Sequence, residues 1–180
     1  MDVDAEVLRA VAHPLRRRLV DVLRVRGPQT ATLLGGATDQ RVANVSHHLK
    51  VLAACGLVAE VPELAKDRRE RWWRVERPRL SWSTLDFTDD PTSESAALAA
   101  ESLGLTRQVD LVRSWAQDPR SRTAPWGAAA FSTDAWAHLT PDELAQLSGE
   151  LQEVLDRYRG RPADGREPVF LLARGFPATP

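Results

Sequence analysis

The sequence predicts a mainly helical fold with a small β component, and three observations carry that reading. Apolar residues recur at three- and four-residue steps in several stretches, the period of a helix that buries one face. Residues 44–58, Asn-Val-Ser-His-His-Leu-Lys-Val-Leu-Ala-Ala-Cys-Gly-Leu-Val, read as a helix that stops at a glycine and runs straight into a strand. A second short strand follows across a charged loop, which makes a hairpin.

In chain order, Leu15, Leu19, Val22 and Leu23 define a helix opened by His13-Pro14 and ended by Gly27-Pro28. Proline suits the first turn, where its missing N–H costs no hydrogen bond. Thr30 to Leu34 reads as a short helix, and Gly35-Gly36-Ala37-Thr38-Asp39 as the turn after it, with Asp39 capping the next helix. In that helix, residues 41–55, Val42, Val45, Leu49, Leu52 and Ala53 make the inward face. Arg41, Asn44, His47 and Lys50 lie opposite, and positions 40 to 54 hold no acidic residue. Such a face can lie against base edges in a DNA major groove. Gly56 fits the stop, because a left-handed residue there costs glycine nothing.

Leu57, Val58 and Val61 begin the first strand of the hairpin; Arg68 to Val75 form the second. Lys66, Arg68, Arg69 and Arg71 are placed to touch phosphates, which add affinity without sequence preference. A charge run of this kind is also what an ordinary solvated hairpin carries. The charge division bears on the choice. Residues 1–80 hold 15 Lys and Arg against 10 Asp and Glu, a net of +5, whereas residues 81–180 hold 9 against 15, a net of −6. The near-neutral total of −1 therefore conceals a basic half with the footprint of a nucleic-acid partner.

Leu8-Arg9-Ala10-Val11-Ala12-His13-Pro14-Leu15-Arg16, Val45-Ser46-His47-His48-Leu49-Lys50-Val51-Leu52, Gly56-Leu57-Val58 and Arg71-Trp72-Trp73 together resemble the winged helix-turn-helix repressors of the arsenical-resistance-repressor (ArsR) family. The resemblance covers roughly the first 80 residues. It implies that helix 41–55 reads bases through Val42, Asn44, Ser46 and His47, with Arg41 and Lys50 on the backbone and the hairpin, 57–76, as the wing. Asn44 suits an adenine edge and Val42 a thymine methyl. Ser46 reads equally as a small residue that lets two helices approach, and His48 as a side chain packed at the helix–wing junction. The resemblance also implies a dimer built from the first helix and a helix after the wing, and repression as the default outcome.

Many members of that family sense metals. Their paired cysteines on the first helix of the helix-turn-helix would fall in Thr30-Ala31-Thr32-Leu33-Leu34, which has none. The other family site, of Asp, His and Glu on the dimer helix, would fall in 93–117, which holds Glu94, Glu101 and Asp110 but no histidine. No metal or cofactor is expected on these grounds. Cys55 is the single cysteine, so no intrachain disulfide forms, and its apolar setting at a helix end suggests an inert thiol rather than a redox switch. No phosphate-binding glycine loop, nucleophile elbow or HExxH sequence is present, so an enzyme is not expected.

The C-terminal half changes character. Leu80 to Leu85 is a strand or connector, Asp89-Asp90-Pro91-Thr92 a turn, and Ser93 to Gln117 an alanine-rich helix carrying Leu98, Leu105, Val109, Val112 and Trp115. That helix either dimerises or covers its own core. Residues 128–137 read as extended, Thr140-Pro141-Asp142-Glu143 as a capped helix start, and Val169 to Arg174 as a strand that pairs with the first. Trp82, Trp115, Trp126, Trp136, Phe131, Phe170 and Phe176 are expected chiefly as core, or else as the lining of a small organic effector pocket.

The expectation is an α+β chain with a winged helix-turn-helix over 1–80 and, over 81–180, a dimerisation helix followed by a strand-helix-strand appendix and a possible effector-sensing role. Its function would be that of a dimeric, operator-specific DNA-binding repressor; a winged helix that only binds protein is the alternative. The 43% apolar content suits a globular chain, and with no long apolar run and an acidic start, no membrane or signal segment is expected and the cytoplasm is its place.

Overall fold

The computed structural model describes residues 4–67, 70–77, 82–159 and 161–179. The chain divides into two compact units, Met1–Arg107 and Gln108–Pro180.

The first unit begins with α1 (Ala5–Val11), capped by Asp4, whose side chain accepts from Val7 N at 2.9 Å. Pro14 opens α2 (Pro14–Arg26), and Gly27 ends it. A two-residue strand, β1 (Gln29–Thr30), leads into α3 (Ala31–Thr38), where Thr30 caps through Leu33 N. Then follow α4 (Val42–Ala54), β2 (Val58–Glu60) and β3 (Trp72–Val75). The sheet is antiparallel in the order β1-β3-β2, with Gln29 opposite Trp73 and Glu60 opposite Trp73 on the other side.

The helix-to-strand junction follows from glycine chemistry. Gly56 sits at φ 62°, its N–H bonds Ala53 O at 2.9 Å, and Leu57 N bonds Leu52 O at 2.9 Å. This reciprocal pair closes the last turn of α4 and swings the chain into β2. The turn before α4 differs from the expected one. Gly35 and Gly36 lie inside α3, and the corner is made by Asp39 at φ 55°. Gly35 is required by the close return of the chain after α3, since a Cβ there would stand 2.8 Å from the Gln40 carbonyl. Asp39 accordingly ends α3 instead of capping α4, whose N-cap is Arg41 without a side-chain bond.

Leu8, Leu19, Leu34, Leu49, Leu52 and Leu57 are fully buried in one core, which Trp73 closes from the sheet. The start of α5 (Pro91–Gln117) adds Ala96, Ala97 and Ala100 to the same core, small residues that let the helix approach. Arg107 on α5 meets Asp21 on α2 at 2.5 Å. Before α5, the connector expected around 80–85 has its first residues outside the described ones; Thr84–Phe87 is a 3-10 turn with a Ser83–Asp86 capping box.

The second unit contains the end of α5, a 3-10 turn at Pro119–Arg122, the four-residue α6 (Trp126–Ala129) and α7 (Pro141–Arg159). The start of α7 is the expected box: Glu143 N bonds Thr140 Oγ1 at 3.2 Å, and Thr140 N bonds Glu143 Oε2 at 2.7 Å. The strand-helix-strand appendix is not formed. Residues 130–140 and 166–179 run without helix, sheet, turn or bend, and the described sheet lies wholly in the first unit. Of the aromatics expected as core, Phe131, Trp136, Phe170 and Phe176 are exposed and Trp115 and Trp126 half-buried, whereas Trp82 packs against the core of the first unit. Among the described residues no helix is long and apolar enough to cross a membrane.

Candidate nucleic-acid interface

Helix α4 is the outer helix of the α3-turn-α4 pair, and its burial follows the predicted period. Val45, His48, Leu49 and Leu52 are buried, while Arg41, Asn44, His47 and Lys50 are exposed. At 100° per residue the centre of the outward arc falls on Ala43, His47 and Lys50. Ala43 is exposed and was not anticipated; only the buried stripe, once known, places it.

Val42 departs from the inward face assigned by spacing. It is 44% exposed, standing at the rim of the apolar stripe where the first turn of α4 extends past the core. There it lines a groove with Ser46, Lys50 and Arg71, four of the expected site residues brought together. The groove holds about 680 Å3 between the N-terminal end of α3, α4 and β3; Thr30 to Leu33, Trp72 and Trp73 make the rest of its walls, and Glu70 adds one carboxylate to its lining. Trp72 Nε1–H is buried and has no acceptor among the described residues, so an incoming acceptor would relieve it. Ser46 is half-buried, consistent with a small residue at a close approach as well as with a contact.

Asn44 and Lys66 lie away from this groove. Asn44 Nδ2 donates to Gln40 Oε1 at 2.9 Å, which orients the exposed amide. At the wing tip, Lys66 N donates to Glu70 Oε2 at 2.8 Å and Glu70 N to Asp67 Oδ1 at 3.0 Å, so carboxylates close the loop. Arg68 and Arg69 fall outside the described residues. Arg71 is held across the hairpin by Glu60 at 2.9 Å. An exposed pair of this kind contributes about 0–1 kcal/mol, so a phosphate can displace the carboxylate at small cost.

Beneath α4, His48 packs against His13 at the start of α2, with ring centroids 4.6 Å apart, rather than at the wing. His47 meets the same ring edge-on at 5.3 Å. Burial first, then the neighbouring Arg16, holds His13 below the usual histidine range. Burial followed by His13, Arg16 and His47 does the same to His48. Both Nδ1 atoms are buried without partners among the described residues, so the α2–α4 contact is built for neutral imidazoles. Cys55 lies near Glu6 O at 3.8 Å, and burial, then Glu6 and Asp4, push its thiol up. A thiol so placed is a poor nucleophile. Among the described residues no three His, Cys, Asp or Glu gather as a metal-binding group.

Comparison with known proteins agrees on the element that carries this face. Residues 11–61 match a helix-turn-helix domain family, so α2, α3 and α4 form a helix-turn-helix domain. One solved crystal structure, of a possible transcriptional regulator for arsenical resistance, is similar at 28% identity over 72% of this chain and 99% of its own, with a TM-score of 0.34. No curated protein matches the chain.

Proposed function

We propose that the chain is a sequence-specific DNA-binding transcriptional regulator of the ArsR type, acting as a dimeric repressor in the cytoplasm. The observation that carries this reading is the exposed face of α4. Arg41, Asn44, His47 and Lys50 stand outward on the second helix of a helix-turn-helix, with no carboxylate between positions 40 and 54. A duplex laid on that face meets an amide and an imidazole that hydrogen-bond base edges, and cations that reach phosphates. Val42, Ser46 and Arg71 line the adjoining groove, and the wing continues the backbone contact through Lys66, Arg68 and Arg69.

Dimerisation is assigned to α5, where the exposed Leu98, Leu105, Val109 and Val112 recur at seven-, four- and three-residue steps. A two-fold pair of readers would then select a pseudo-palindromic operator. A small organic effector acting on residues 81–180 belongs to the same proposal; it would induce by favouring a half-site spacing that does not fit the operator.

Selection from random duplexes followed by fluorescence anisotropy tests the reading. Arg41→Ala and Arg69→Ala are expected to weaken binding to every duplex and to lower its salt dependence. Asn44→Ala is expected to relax one operator position by about 1–3 kcal/mol. Equal affinity of the wild type for selected and random DNA would sink the specific-regulator reading and favour a winged helix that binds protein.

A further inference from the structure

We infer that the contact between His13, at the N-cap of α2, and His48 on α4 is a proton-operated latch: neutral rings hold the reading face of α4 in register for DNA, and acid releases it. Its output, though not the latch itself, rests on α4 reading DNA as proposed above.

The two rings stand 4.6 Å apart, tilted at 44°, and the His47 ring meets His48 at 5.3 Å. Three imidazoles therefore run from the α2–α4 contact to the outward row of α4, His48 being buried and His47 exposed. A neutral imidazole donates from one nitrogen, whereas an imidazolium donates from both. Here Nδ1 of His13 and Nδ1 of His48 are each buried with no hydrogen-bond partner among the described residues. A second proton on either ring would place a charged N–H where nothing receives it.

The surroundings oppose that proton too. His13 stands at the positive end of the α2 dipole, and the first turn of that helix has no acidic residue. Arg16 is fixed in the same turn, its Nε donating to Ala10 O at 2.6 Å and its Nη2 to Arg9 O at 2.7 Å. Among the described residues, the charges acting on the pair are Arg16 from α2, His47 from α4 and each ring on the other. The carboxylates of Asp4 and Glu6 at the start of α1 face Cys55 instead, as does Arg77 beyond β3. Arg17 faces Asp21 on its own helix and Arg107 on α5, α3 has no charged residue, and Glu60 of β2 and Arg74 of β3 pair with Arg71 and Glu76. No described carboxylate is therefore in place to neutralise a protonated ring.

Burial first, and then these neighbours, hold both rings below the ordinary histidine value of 6.5, so the contact is closed at neutral pH and loses its advantage as pH falls through the folded values. Protonation favours the arrangement in which α4 stands off α2 and both rings reach water. His47 and Asn44 share that backbone, so the row that meets base edges moves with it. The sign separates this latch from simple electrostatics. An exposed histidine that gains a proton on a DNA-facing helix adds a phosphate contact and strengthens binding in acid, whereas the latch weakens it.

Fluorescence anisotropy on a selected duplex at fixed ionic strength, with two-dimensional NMR of the DNA-free chain, tests it between pH 8 and 5.5. The wild type is expected to bind about tenfold more weakly at pH 5.5 than at 7.5, since one unit below the free histidine value favours an open ring by about that factor. The His13 and His48 ring signals should titrate together with the amide signals of residues 44–52, while helix content by circular dichroism holds. His13→Gln and His48→Gln, which stay neutral, should each lose under about threefold over the same range, with one titrating ring fewer. His47→Gln should bind less tightly throughout and still lose affinity in acid. Unchanged or stronger wild-type binding in acid would overturn the inference, and so would rings that titrate without any response in 44–52. Weaker binding that comes with loss of helix content would overturn it as well, because acid unfolding would then explain the loss. A chain whose α4 amides follow the rings but which prefers no duplex at any pH would keep the latch and remove the regulator reading.

Discussion

The two units of this chain use similar apolar residues to opposite effect. In the first, leucines from α1, α2, α3 and α4 reach one another and Trp73, and five of them are wholly buried. In the second, Leu147, Leu151, Val154 and Tyr158 line α7 at helical spacing and remain exposed. Amphipathic patterning therefore records that a face is to be covered and is silent on what covers it. The first unit covers its own faces because its short helices are joined by tight turns that return the chain on itself. The second places two long stretched segments where such returns would be.

The largest expected effect separates the two units directly. Leu49→Ala empties a fully buried site and is expected to cost about 2–5 kcal/mol in chemical denaturation. Leu147→Ala on α7 should cost under about 1 kcal/mol at concentrations where the chain is monomeric. Similar losses at both positions in the monomer would erase the contrast.

A middle-sized effect probes how the first unit closes. Gly35→Ala places a Cβ 2.8 Å from the Gln40 carbonyl, a backbone atom that cannot swing aside. The α3–α4 turn should open at a cost of about 1–3 kcal/mol, and Gly36→Ala, where a Cβ meets nothing within 4 Å, should be neutral or mildly stabilising. Thermal melts of the two variants compare them; equal melting temperatures would show that the turn is not tight.

The smallest effect concerns pH. His13 and His48 both titrate below the free histidine value in the folded chain, so the unfolded chain binds more protons as pH falls past about 6.5. Their contribution to stability is present in full above that pH and is lost progressively as pH descends through the folded values. Denaturation midpoints between pH 8 and 5 should fall on acidification, and the slope should flatten in His48→Gln. An unchanged slope would place the titrating groups elsewhere.

Much of the first unit was legible because its signals are local. Pro14 sets a helix start through its own fixed φ, and Gly56 a helix stop through its own left-handed tolerance; in the second unit Thr140 with Glu143 likewise sets a cap within one turn. The outward row of α4 followed from a period of 3.6 alone. Where the reading failed, the cause lay outside the residue's own dihedral preference, in a neighbour the sequence pattern does not place. Strand β1 is two residues that count as strand only because Trp72 and Trp73 lie beside them. Gly35 and Gly36 looked like a turn, but the turn is at Asp39, and the need for Gly35 comes from a carbonyl five residues on. Val42 has the spacing of a core residue and faces a groove whose far wall is β3.

Segments 128–137 and 169–174 are the instructive failures. Their composition is that of strands, and strand propensity is a statement about fitting a pleated surface that some neighbour must provide. The sequence by itself determined α2, α4, α5 and α7, the hairpin and the basic face of α4, because each depends on dihedral preferences and periodicities within a few residues. Only the tertiary structure decided which apolar faces close on one another and which stay open, because burial depends on whether a matching surface comes within reach, and that depends on the path of the whole chain.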